Sequence, residues 1–69
     1  MYRFVISSEQ TEKTITELVK EWNKMTNIFI TLDDSIIIID GNIVPFEYLE
    51  TTVVKENQVV EVIRLVCGG

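Results

Sequence analysis

The sequence predicts an α+β domain in two layers, with one helix packed across a mixed sheet of four to five strands. Three observations predict it. Residues 15–25 carry a single apolar stripe at helical spacing, formed by Ile15, Leu18, Val19, Trp22 and Met25. Short runs rich in Val, Ile, Phe and Tyr lie on both sides of it, divided by polar or glycine turns. No repeat, low-complexity stretch or linker interrupts the 69 residues, so they read as one domain.

The elements follow in chain order. Tyr2-Arg3-Phe4-Val5-Ile6 is aromatic and β-branched and reads as a strand. Ser7 to Gln10 is polar and turn-like, and residues 11–15 are a candidate short return strand. Thr14-Ile15-Thr16-Glu17 fits the S/T-x-x-E capping box, so the helix is expected to start near Thr14 and to end near 25–27. Glu17 with Lys20, and Glu21 with Lys24, fall on its polar side at attractive spacing. Residues 27–32 form a further strand-like stretch, which Asp33-Asp34 breaks. Ile36 to Ile39 cannot alternate in and out, which points to a strand covered on both faces or lying against a partner. Asp40-Gly41-Asn42 is a tight turn in which glycine supplies positive φ. Ile43-Val44 is extended, and Pro45 restricts it to a sheet edge. Residues 46–50 suit one helical turn, 51–54 an extended piece, 55–58 a polar turn and 59–66 the final strand.

Composition sets bounds on function. A chain this short buries only about 60% of its extended surface, so its stability margin is thin. Cys67 is the single cysteine and histidine is absent, which excludes an intrachain disulfide and a Cys/His metal site. Eleven acids against six bases give a net charge of -5, which disfavours nucleic acid and suits a basic protein partner or plain solubility. No apolar run reaches membrane-span length and nothing suggests export, so the expected location is the cytoplasm, where a free thiol is at home.

Catalytic signatures are missing. Without histidine there is no His-based acid, base or nucleophile system, and no phosphate-cradling glycine motif occurs. Asp33-Asp34 is an incomplete cation site and reads better as a solvated turn. The chain is therefore not expected to be an enzyme, and no cofactor or metal is expected. Chemistry is expected instead at the end of the chain. Gly68-Gly69 follows the last strand directly, and glycine threads into slots too narrow for any side chain. The domain is placed at 1–66 and a flexible tail at 67–69. Cys67 is a candidate auxiliary thiol that accepts sulfur or forms a mixed disulfide.

Taken together, the segment Ile39-Asp40-Gly41-Asn42-Ile43-Val44-Pro45, the pair Thr51-Thr52, Val60-Glu61-Val62-Ile63 and the terminal Val66-Cys67-Gly68-Gly69 resemble the thiamine-biosynthesis sulfur-carrier (ThiS) family. That family shows an N-G-E-I-V-P-like turn, a T-T, a V-E-I-V strand and a terminal G-G. The resemblance covers roughly residues 11–69, and Thr14 to Val19 looks like the family's helix start. There are three departures. Asn57 stands for the glycine of the last turn, Cys67 for a small residue, and 27–35 is longer than the usual link.

The resemblance implies a ubiquitin-like β-grasp fold, related to the molybdopterin sulfur carrier (MoaD). It implies that an ATP-dependent adenylating enzyme of the ThiF or MoeB kind activates the Gly69 carboxylate as acyl-AMP. Sulfur from a cysteine desulfurase or another donor then yields a C-terminal thiocarboxylate. An acceptor such as thiazole synthase takes that sulfur. No nucleic acid or membrane partner is implied.

Alternation along the final strand puts Val60 and Val62 on one face and Val59, Glu61, Ile63 and Leu65 on the other. If the first pair meets Leu18 and Trp22 in the core, Ile63 and Leu65 form an outward apolar docking patch with Glu61. The competing expectation is that a 28–32 strand or a second copy covers them. Three function classes stay open: a sulfur carrier, a ubiquitin-like modifier joined through Gly69, and a non-catalytic interaction module.

Overall fold

The computed structural model describes residues 2–27 and 29–65. Among them are strands β1 (Tyr2–Val5), β2 (Ser35–Ile39), β3 (Asn42–Val44) and β4 (Val59–Arg64), and one helix, α1 (Ile15–Met25). Short 3-10 turns occupy Ser8–Gln10, Leu32–Asp34 and Phe46–Tyr48.

Helix α1 begins where its sequence says it should. The Thr14 hydroxyl accepts the Glu17 N–H at 3.2 Å, and the Glu17 carboxylate accepts the Thr14 N–H at 3.2 Å. Two backbone donors that a helix start leaves orphaned are thereby satisfied. Ile15, Leu18, Val19 and Trp22 are buried. Met25, expected on the same stripe, is 79% exposed. It lies at the margin of the stripe in the last turn, where the chain leaves the helix. Glu21 also departs from expectation: it pairs with Lys13, whose Nζ sits 2.7 Å from both carboxylate oxygens, rather than with Lys24.

The strands form one sheet in the order β1-β4-β2-β3. The sequence predicts a mixed sheet, but all three pairings are antiparallel. The cause is local. After β1, Ile6 exchanges backbone hydrogen bonds with Gln58 and Asn57, at 2.9 and 2.8 Å, so β1 runs against β4. The expected return strand at 11–15 shrinks to the single bridge Thr14↔Val53. Glu12 has a φ of 71°, which breaks an extended run, and Thr14 is already committed as the helix cap.

The expected strand at 27–32 is likewise absent among the described residues. The Asn23 amide takes both polar groups of Ile30, donating to its C=O at 2.9 Å and accepting its N–H at 2.7 Å. Those are the groups a ladder would have used. Ile30 joins the core, pinned to α1 instead of a strand.

Register sorts the side chains into two faces. Tyr2, Val62, Ile37 and Val44 make one row across the sheet, and Phe4, Val60 and Ile39 the next. Both rows pack towards α1 with Leu18, Trp22, Leu49 and Val54. Phe4 and Trp22 stack with ring centroids 3.8 Å apart and planes 7° from parallel, tying β1 to the helix. The four isoleucines of β2 point in sequence to a strand covered on both faces or lying against a partner. Instead Ile37 and Ile39 are buried and Ile36 and Ile38 only partly so, as suits an antiparallel sheet with one face on the core.

Two turns set the register. Asp40 and Gly41 have φ of 48° and 85°, the two-residue hairpin geometry that Asp-Gly favours. Asp40 then holds the start of β4, its carboxylate accepting the Val59 N–H at 2.9 Å. Asn57 takes a φ of 70° in the last turn, so asparagine fills the left-handed position that glycine would have held.

Candidate functional site

β4 is an interior strand, flanked by β1 and β2. β1 pairs with its residues 59–62 and β2 with its residues 60–64, and the chain leaves it at Leu65. There the Leu65 N–H donates to the Asp34 carbonyl at 2.7 Å, so the Leu32–Asp34 turn grips the root of the tail. Asp34 also carries a carboxylate oxygen that is shielded from solvent and meets no donor. Cys67, Gly68 and Gly69, on which the expected carrier chemistry falls, lie outside the described residues, as does Val66.

The remaining expected site residues can be placed. Val60 and Val62 are fully buried in the core that holds Leu18 and Trp22. Period-two alternation therefore turns Glu61 and Ile63 to the opposite face of the sheet. Both are partly covered there, and Leu65, one residue past the strand, is 50% exposed. Among the described residues of 28–32 no strand covers them.

Register brings to this face residues that the sequence alone did not assign to it. Glu61 lies opposite Arg3 on one side and Ile38 on the other, with Ile43 beyond Ile38. Ile63 lies opposite Ile36, and Val59 opposite Val5. Val5 and Ile43 are 63% and 66% exposed. The outer face is thus an apolar sheet surface with an Arg3–Glu61 cross-strand pair near its middle. Ile36 and Ile38 hid in the four-isoleucine run, where alternation is invisible. Val5 and Ile43 need the pairing register, which no local pattern supplies.

Titration at the helix cap is a separate matter. Two hydrogen bonds from Thr14, backbone first and hydroxyl second, hold the Glu17 carboxyl below its ordinary value. Among the described residues no group of three or more His, Cys, Asp or Glu side chains is placed to hold a metal ion. No helix among them is long and apolar enough to cross a membrane.

The chain offers a capped helix on a four-stranded sheet, a D-G-N-I-V-P hairpin at its edge and an interior last strand that leads to Gly-Gly. A comparison with protein-family models matches the ThiS family over residues 4–69. The match takes in Phe4 and Val5 of β1, which the motifs alone leave out. A search of curated proteins and one of solved structures each found no match. One helix against a four-stranded antiparallel sheet is consistent with a ubiquitin-like β-grasp, and kinship with the molybdopterin sulfur carrier is consistent with the family. With nearly its whole length matched, the chain belongs to the ThiS family.

Proposed function

We propose that this protein carries sulfur as a thiocarboxylate on Gly69, most directly for the thiazole of thiamine. Membership of the ThiS family supports a sulfur-carrier role in general, since such proteins are small carriers rather than catalysts. The observation that carries the finer reading is the family match running through Gly68 and Gly69.

The chemistry follows from what a carboxylate lacks. It is a poor electrophile, so a carboxylate oxygen of Gly69 first attacks the α-phosphorus of ATP in the partner's site, and pyrophosphate leaves. A sulfur nucleophile then adds to the carbonyl carbon, and AMP departs with the C–O electron pair. If the donor is a persulfide, the product is an acyl disulfide to the donor. An external thiol then attacks the donor's sulfur, forming a disulfide with it, and the old S–S bond breaks with its electron pair leaving on the thiocarboxylate. Cys67 stands two residues away in sequence as an auxiliary thiol, and the exchange at Gly69 does not require it. Gly68-Gly69 adds no side-chain bulk, so the end can enter first the adenylating site and then the acceptor's.

Docking falls to the apolar sheet face. In this reading the adenylating enzyme grips Ile63 and Leu65 beside Glu61, with Ile36, Ile38 and Val5 widening the contact. The test is the intact mass of the chain after incubation with an adenylating enzyme from its own source, ATP-Mg and a sulfur donor. Exchange of one oxygen for sulfur, unchanged in Cys67→Ser, is expected. A whole added sulfur that vanishes with Cys67 would mean a persulfide instead. A reductant-resistant ladder of larger conjugates would mean a protein modifier.

A further inference from the structure

A second surface feature lies apart from the apolar sheet face. A cleft of about 350 Å³ opens between the first turn of α1, the Leu32–Asp34 turn and the Phe46–Tyr48 turn. Its apolar lining comes from Leu32, Leu49 and Phe46. Leu49 is 4% exposed and anchored in the core, whereas Phe46 is 63% exposed. Three exposed carboxylates, Asp33, Glu47 and Glu50, complete the lining, and no lysine or arginine is among it. The one hydroxyl there, on Thr16, already donates to the Leu49 carbonyl at 3.3 Å.

An apolar hollow with three acids and no cation has an obvious electrostatic complement. Like charges raise one another's energy, and a cation entering between them is attracted by all three. The apolar lining makes a bare metal ion a poor occupant and favours a cation on an apolar stem. Arginine fits better than lysine. Its planar guanidinium stacks on an exposed aromatic ring such as Phe46 and forks to two carboxylates at once. The cleft also has a telling place in the chain. Asp33 lines it, and the next residue, Asp34, holds Leu65 where the tail leaves β4.

We propose that this cleft docks an arginine-bearing segment of a protein partner, independently of the sheet face and of the tail. The guanidinium sits among Asp33, Glu47 and Glu50, and the aliphatic stem or an apolar neighbour lies against Leu32 and Phe46. A partner that grips here holds the carrier next to the tail root while leaving Gly68-Gly69 and the outer sheet face free.

The test is a backbone amide NMR titration of the full chain with the blocked tripeptide acetyl-Arg-Leu-Arg-amide, and with acetyl-Glu-Leu-Glu-amide as control. Saturable shifts at Asp33 and Phe46 to Glu50 are expected, with none from the acidic peptide. Added salt should weaken them. A Glu47→Gln, Glu50→Gln double variant removes charge from two exposed positions and should fold. It should bind at least about tenfold more weakly, as expected for losing charge-assisted hydrogen bonds. Deleting Gly68-Gly69 should leave the binding unchanged, so a failed carrier reading and a failed cleft are separable. Absence of saturable shifts would overturn the proposal, as would equal binding by the double variant or shifts confined to the outer sheet face. A cleft that takes magnesium but not the basic peptide would overturn it too.

Discussion

Thr14 and Glu17 show how far single residues determine this chain. The reciprocal cap satisfies two backbone donors at the start of the only helix among the described residues. Thr14→Ala should cost about 1 kcal/mol. In a domain of this size that lowers Tm by roughly 4–8 °C, readable by thermal circular dichroism. Glu17 adds a pH signature. Its folded pKa lies below the ordinary value, so the folded state binds fewer protons than the unfolded state. The stabilisation is fully present above the ordinary glutamate value of about 4.3 and is lost as pH falls through the folded pKa. Glu17→Gln should therefore flatten the decline of Tm below about pH 4.3, relative to the parent chain. Gly41 makes a cleaner backbone test. Its φ is 85° and a Cβ would meet nothing within 4 Å. Gly41→Ala should thus cost only the left-handed conformation, about 1–2 kcal/mol in a denaturant titration.

The elements divide into a buried row and an outer face, and substitutions should respect that division. Ile37→Ala in β2 empties a fully packed site and should cost about 2–5 kcal/mol. Ile43→Ala, on exposed edge strand β3, should stay within about 0.5 kcal/mol. Leu65→Ser on the proposed docking face should leave Tm unchanged but weaken capture by the adenylating enzyme roughly tenfold, read as a raised KM for the carrier. The features legible in the sequence were those with local causes. The S/T-x-x-E box, the Asp-Gly turn and the left-handed Asn57 each declare themselves within four residues. So did the outward turn of Glu61 and Ile63, because Val60 and Val62 alternate with them. The features that escaped have partners distant in sequence. Nothing near 27–32 announces that Asn23 takes the backbone groups of Ile30, and nothing in β1 announces that it runs against β4. The outer face needed the register to bring Val5, Ile38 and Ile43 beside Glu61.

At the scale of the molecule, the described residues form a small scaffold of one helix on one sheet. One helix and four strands enclose a core of Ile, Leu, Val and Trp, and the interior strand β4 leads to the tail. β1 braces residues 59–62 of that strand and β2 its residues 60–64, and the Asp34 carbonyl holds the Leu65 N–H. A net charge of -5 suits capture by a basic surface, and association should weaken as salt is raised. In the proposed function the Gly69 carboxylate carries the sulfur. Intact mass spectrometry after incubation with an adenylating enzyme from its own source, ATP-Mg and a sulfur donor tests this most directly. Exchange of one oxygen for sulfur is expected in the parent chain and in Cys67→Ser. No change is expected in a chain lacking Gly69 that still melts at the parent's temperature. An unaltered parent mass, beside a control carrier that the same enzyme does convert, would contradict it.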